Sequence, residues 1–440
     1  MSVHSFLLPA MLALGLTVSQ AAAAENACSA RVRSDSESTV LVRGLDGAYF
    51  DVARDLTENY DLNAETASYL SEFNAVLKAL GTTFIAVPVP PRAVVLREKL
   101  DVADPQQQAF DPGEAAASYD RLLGQLGAAG ILTADLRKSQ DSPSGASAMF
   151  ARDMQWTPEG ARAAAHETAR LIRSGPLYSG LLQRIYRTEQ IGVFDHQSEM
   201  AQMIQQSCSS PVAAEQAARY RTRMDAIDTA ANAPSGRPLV VVAGSLNARN
   251  ANGNFDGFLS EFANLAVINR SVDDPSPYAA LITVLSDPAF LASPPPYLVW
   301  EFPAEAKLNY LSSVAFRQVL AGTVSCAASD VAWVAQSSAT SGDLKIAVDT
   351  PPPADQPATL LVDVANDPSG RLDVRLRYSG GEVESLSLGS GHPQGGSARY
   401  ATGISREIDG QITSVEFVGL SGDQMPVSAR LCSSAVRKGS

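Results

Sequence analysis

The chain has 440 residues, a formal net charge of -13, 45% hydrophobic side chains and four cysteines. That length can fill more than one core, while the acidic balance argues against nucleic acid and against an anionic membrane surface as partners. The cysteines lack metal-ligand spacing, which argues against a zinc site, and no cofactor is implied.

Residues 1–24 contain no Lys, Arg, Asp or Glu, hold an apolar run from Phe6 to Val18, and end in Ala21-Ala22-Ala23-Ala24. This reads as a secretory signal peptide, since the run falls short of the roughly 20 apolar residues of a membrane span. A periplasmic mature chain with no span is therefore expected. An even cysteine count in an exported chain suggests two disulfides among Cys28, Cys208, Cys326 and Cys432, which sequence alone can pair in three ways.

Thr39 to Val42 predicts a first strand. Leu70, Phe73, Val76, Leu77 and Leu80 fall at helical spacing before Gly81. Thr82 to Val87 then reads as a short buried strand broken by Pro88. A helix over Ala115 to Leu126 and a strand over Gly130 to Thr133 repeat this rhythm, which is that of an α/β domain with a mainly parallel sheet. Ligand sites gather at the carboxyl ends of such strands.

A polar loop from Ser139 to Gly145 leads to Arg152-Asp153-Met154-Gln155-Trp156-Thr157-Pro158-Glu159-Gly160-Ala161. Thr157 suits an N-cap, Pro158 the first helical position, and Glu159 the positive end of the helix dipole. Arg162, His166 and Arg170 mark the wet face of that helix. Arg237 to Ala243 is the clearest core strand, and it ends in Gly244-Ser245-Leu246-Asn247. Asp256-Gly257-Phe258-Leu259 opens an amphipathic helix, and Leu265 to Ile268 and Tyr297 to Pro303 read as further strands. From about Ser313 the texture turns to alternating strands and Gly/Ser turns. Leu372, Val374, Leu376 and Tyr378 alternate there with Arg371, Asp373, Arg375 and Arg377, as in one strand of a β-sandwich.

Three of these segments, in order and at consistent spacing, resemble the AlgX/AlgJ-type alginate O-acetyltransferases, a branch of the SGNH-hydrolase-like superfamily. The decapeptide is similar to the family's Asp-x-His-Trp-Thr-Pro-x-Gly. Gly244 to Leu259 aligns without a gap on Gly-Thr-Ser followed by Asn-Phe-x-Gly-Phe-Leu, and Trp300-Glu301-Phe302-Pro303 resembles the third segment. Together they cover roughly residues 28 to 310. The resemblance implies an SGNH-hydrolase-like domain over 25–312 and a carbohydrate-binding-module-like β-sandwich over 313–440. It also implies the pairings Cys28 with Cys208 and Cys326 with Cys432.

In that family an Asp orients a His, which activates a Ser. Here Asp153 keeps its place, Gln155 stands where the His belongs, and Leu246 stands where the Ser belongs, with Ser245 in the preceding threonine position. Glutamine has no titratable nitrogen, and losing a triad base or nucleophile costs on the order of a million-fold in kcat. The expectation is a protein of alginate-like exopolysaccharide biosynthesis or modification that binds the polymer, or a partner in a periplasmic secretion or acetylation complex, without transferring acetyl groups. The alternative is an active O-acetyltransferase using Ser245 with a non-standard base such as His196, which Asp195 would orient. Arg371, Arg375, Arg377 and His392 are the candidate carbohydrate-binding residues, because a guanidinium grips a carboxylate through two parallel bonds. Tyr378, Tyr400 and Trp333 are candidates for stacking on sugar. The net negative charge requires that basic residues be gathered into a groove if the ligand is a uronate.

Overall fold

The computed structural model describes residues 28–34, 39–139, 147–209, 211–225 and 238–433, apart from 307, 310–311, 325, 327–329, 340–341, 354–355, 366, 368, 390–396, 406 and 421–424. The expected leader over 1–24, most of the 139–145 loop and His392 lie outside the described residues. No helix among the described residues is long and apolar enough to cross a membrane.

The chain opens with a small antiparallel sheet of β1 (Arg31–Arg33), β2 (Val40–Arg43) and β3 (Tyr49–Asp51). Helix α1 (Ala64–Ala79) follows, capped by Asn63, and leads into β4 (Thr83–Val89). Next come α2 (Pro112–Ala128), β5 (Leu132–Thr133) and α3 (Pro158–Ser174). A long two-stranded antiparallel ribbon, β6 (Tyr186–His196) and β7 (Glu215–Met224), brackets α4 (Glu199–Gln206). The chain then returns as β8 (Val240–Ala243), α5 (Leu246–Arg249), α6 (Phe255–Ala263), β9 (Val267–Asn269), α7 (Ala279–Leu285), β10 (Tyr297–Pro303) and α8 (Ser312–Gly322). Strands β5, β4, β10, β8 and β9 lie in that order in one sheet, and every pair is parallel.

Sheet position accounts for the sequence texture. Central β10 is buried along almost its whole length, so Tyr297-Leu298-Val299-Trp300 has no polar alternation. Strand β4 runs through Pro88 instead of ending before it. The proline is tolerated because β5 pairs only with Ile85 and Ala86, leaving one side of β4 without a ladder partner at that point. The main apolar core runs from Val42 to Val319 and covers both faces of this sheet.

Beyond α8 the chain is antiparallel: β11 (Val331–Ala339), β12 (Gly342–Ala347), β13 (Ala358–Ala365), β14 (Arg371–Tyr378), β15 (Val383–Gly389), β16 (Ser397–Gly403), β17 (Ile412–Leu420) and β18 (Met425–Ser433). They form two four-stranded sheets, β11-β18-β13-β16 and β12-β17-β14-β15, packed over a second core that includes Leu372, Val374, Leu376 and Tyr378. Helix α8 lies at the junction. Its Phe316 packs on Tyr278 in the first core, while Arg317 holds Glu384 of β15 at 2.6 Å. Disulfides join Cys28 to Cys208 and Cys326 to Cys432, the pairing that the resemblance implied.

Candidate functional site

Two turns at the carboxyl end of the parallel sheet are pinned to each other. Trp156 donates its backbone N–H to Asn247 Oδ1 and its indole N–H to the Asn247 carbonyl, both at 3.1 Å. Thr157 caps α3 by accepting the Gly160 N–H, and Gly160 is obligatory there: a Cβ would stand 2.1 Å from the Ala148 carbonyl oxygen. On the other turn a Cβ on Gly244 would stand 2.7 Å from Glu301 Oε2 and 2.8 Å from both Ala248 Cβ and Ser271 Oγ. Behind the first turn, fully buried Arg92 pairs with Asp55 at 2.8 Å and donates to the carbonyls of Tyr49, Phe150 and Ala151. The segments that carry Gln155 and Leu246 therefore meet in one cleft.

The buried carboxylate of Asp153 organises this cleft. Its Oδ1 accepts the Met154 N–H at 2.6 Å, and its Oδ2 accepts from Gln155 Nε2 at 3.1 Å. Gln155 Oε1 in turn accepts from Asn250 Nδ2 at 2.7 Å. Gln155 is thus held on both sides by hydrogen bonds, and neither of its polar atoms can take up a proton near neutral pH. Nε2 of His196, at the end of β6, lies 2.6 Å from the same Asp153 Oδ2. The imidazole lies flat on Phe150, with ring centroids 3.7 Å apart, and Phe194 meets it edge-on. Sequence reasoning assigned its orientation to Asp195. In the structure Asp195 instead accepts from Gln216, and the orienting carboxylate is Asp153, forty-three positions away in the chain.

Ser245 faces the other way. Its hydroxyl donates to Glu301 Oε1 at 3.0 Å, its N–H donates to Glu301 Oε2 at 2.7 Å, and its oxygen accepts the Asn247 N–H as the cap of α5. No imidazole is among its partners in the described residues. Glu301 is 1% exposed, and burial pushes its carboxyl up to about 7 against the downward pull of the hydrogen bonds from Ser245 and Asn247. Leu246, 38% exposed, instead lines a pocket of about 510 Å³ together with Gln155, His196, Arg219, Arg249 and Asn250. Ser245 is not in that lining. The pocket offers amides, two guanidiniums, one carboxylate-oriented imidazole and the Asp195 carboxylate, which accepts from Gln216, and its lining holds no hydroxyl or thiol among the described residues. The two guanidiniums outnumber the one carboxylate, which suits a polar, anionic group. Arg219, Arg249 and Asn250 escaped sequence reasoning because they match none of the words of the three motifs, lying in β7 and at the end of α5.

In the sandwich, Arg375 and Arg377 share Glu416 at 3.4 and 3.1 Å, and Arg371 lies 3.4 Å from Asp373. The guanidiniums expected to grip uronates there are partly occupied by the protein's own carboxylates. Trp333, Tyr378 and Tyr400 are buried in the sandwich core and present no face for a sugar to stack on. His166 is exposed on α3, as its spacing predicted.

The family described as SGNH hydrolase-like domain, acetyltransferase AlgX, matches residues 41–304. The alginate biosynthesis protein AlgX of Pseudomonas aeruginosa is 27% identical over 266 residues, which cover 60% of this chain and 56% of that protein. The protein of the same description from Pseudomonas syringae pv. tomato is 24% identical over 422 residues, 93% of this chain and 87% of that one. A solved structure described as the structural and functional characterization of Pseudomonas aeruginosa AlgX matches with a TM-score of 0.77 at 23% identity, covering 90% of this chain and 94% of that one. At that identity the likeness is one of fold.

Proposed function

The chain belongs to the SGNH hydrolase-like family of the acetyltransferase AlgX, and from that membership we propose that it is an alginate-pathway protein that binds an anionic polysaccharide without passing acetyl groups through a covalent enzyme intermediate. The observation that carries this reading is the pocket wall itself. Gln155 is locked between Asp153 and Asn250, Leu246 projects where an attacking hydroxyl would be needed, and the nearest serine in the chain is tied to Glu301. On this reading the protein works in the periplasm, residues 1–24 serve as its leader, 25–312 form the recognition domain, and 313–440 form a second domain for contacts with glycan or with partner proteins. The names of its relatives supply the pathway.

Two measurements on the full mature chain test it. Calorimetry with oligomannuronate is expected to show saturable binding. Incubation with excess activated acetyl ester, followed by mass spectrometry, is expected to show no adduct. An acetyl group mapped to Ser245 and abolished by Ser245→Ala would overturn the reading.

The contact between Asp153 and His196 favours one second reading. A carboxylate-oriented imidazole in the pocket wall can act as a general base, and with no hydroxyl or thiol in the pocket lining the attacking group would be water. Water oxygen would add to an ester carbonyl while His196 takes the proton, and the imidazolium would return that proton to the departing sugar alkoxide as the C–O bond breaks. Acetate release from an acetylated uronate that disappears in His196→Gln would establish this hydrolysis. Release unaffected by that change would exclude it.

A further inference from the structure

The ribbon is an exception to the chain's acidic character. From Ala218 to Arg223 strand β7 alternates: Ala218, Tyr220 and Thr222 turn inward, where Tyr220 packs edge-on against Phe258 of α6 and Thr222 Oγ1 accepts from Asn254 Nδ2 at 3.1 Å. Arg219, Arg221 and Arg223 consequently stand together on the opposite, exposed face. The strand register places Arg187 across from Arg223 and Glu189 across from Arg221, so four guanidiniums share this face. Two carboxylates answer them. Glu189 lies 3.4 Å from Arg223, with both groups largely exposed, and Asp225 lies 2.6 Å from Arg187 at the end of the ribbon. The Arg221 side chain makes no hydrogen bond or ion pair among the described residues, although its backbone pairs in the ladder.

At its lower end the row enters the pocket. Arg219 lies over the Phe194 ring at 5.5 Å, and both residues line the cleft with Arg249 and Asn250. Successive arginines on one face of a strand are spaced about 7 Å apart, less than the Debye length of roughly 8–10 Å at ordinary salt. Their mutual repulsion is therefore not screened away, and it is relieved when a line of negative charges lies along them.

We propose that the outer face of the ribbon is a binding track for an extended polyuronate, with a terminal disaccharide seated in the pocket beside Arg219 and Arg249 and the carboxylates of the residues beyond it gripped by Arg221 and Arg223. This rests on the glycan-binding reading of the pocket and adds to it a direction and a minimum length for the ligand. It also resolves how a chain of charge -13 holds a polyanion: the needed cations are concentrated on one ribbon, and a guanidinium can pair with each carboxylate through parallel hydrogen bonds.

The test is calorimetry of the full chain and of the double variant Arg221→Gln/Arg223→Gln with a mannuronate disaccharide and a mannuronate octasaccharide, each at low and raised salt. Both arginines are exposed and outside the pocket, and circular dichroism checks that the variant is folded. The wild type is expected to bind the octasaccharide more tightly than the disaccharide. The variant is expected to lose about tenfold on the octasaccharide, with a flatter salt dependence and unchanged disaccharide affinity. Octasaccharide binding that is unchanged in the variant, or wild-type affinity independent of length, would overturn the track while leaving the pocket reading in place. A wild type that binds neither oligomer would overturn both.

Discussion

Glu301 shows how burial and hydrogen bonding oppose each other at a single residue. Its carboxyl is enclosed, with Ser245 and Asn247 as donors, and burial prevails, raising it from its ordinary 4.5 to about 7. A carboxyl raised on folding binds its proton more tightly in the native state. The resulting stability is fully present below about pH 4.5, declines as pH rises towards 7, and is absent above it. The size is at most about 3 kcal/mol. Urea unfolding of the wild type and of Glu301→Gln across this range should show the wild type losing ground to the variant as pH rises; parallel curves would contradict the assignment. The turns that carry Gln155 and Leu246 meet at one cleft because short turns beside buried strands leave little freedom of position. The partner of His196 was not legible, since nothing in Phe194-Asp195-His196 indicates a carboxylate forty-three positions earlier.

Among elements, the legible ones are those with two buried faces or one. Strand β10 was found with both ends correct, and α3 started at Pro158 with Thr157 as its cap, as predicted. The ribbon went unseen because most of β6 and much of β7 is exposed, so no apolar alternation marks it. The turn carrying Asp153 depends on a cross-link that sequence also concealed. Arg92 ties the small amino-terminal sheet to residues 150–151 through the Tyr49, Phe150 and Ala151 carbonyls, with Asp55 as its counter-charge. Desolvation already holds the Asp55 carboxyl above its ordinary value, with Arg92 opposing that rise. Arg92→Met leaves this carboxyl buried and unpaired, and should cost about 3–5 kcal/mol. Hydrogen exchange should show faster opening of amides 150–156 in that variant, with helix α1 much less affected.

At the scale of the whole molecule, two cores meet at α8 and each region carries its own disulfide. The bridge from Cys326 to Cys432 spans 106 residues and encloses every strand of the sandwich up to β18. Closing a loop of that length is worth about 4–5 kcal/mol through the unfolded chain. Cys326→Ala/Cys432→Ala should therefore lower the denaturation midpoint of the sandwich, followed through Trp333, well before that of the first core, which holds Trp156 and Trp300. Coincident shifts of both would show that α8 couples the two into one unfolding unit. The broad plan was legible because the texture changes near residue 313. The location of the basic residues was not, because charge totals carry no information about which strand face collects them.

The single oxygen of Asp153 that serves both Gln155 and His196 has a consequence for anyone who would build an acyl-transfer site here. A histidine introduced at 155 would have to share one negative charge with an imidazole already seated on it, and a hydroxyl introduced at 246 would then face two competing rings. Such a design takes three positions, not two, and the incumbent must be evicted first.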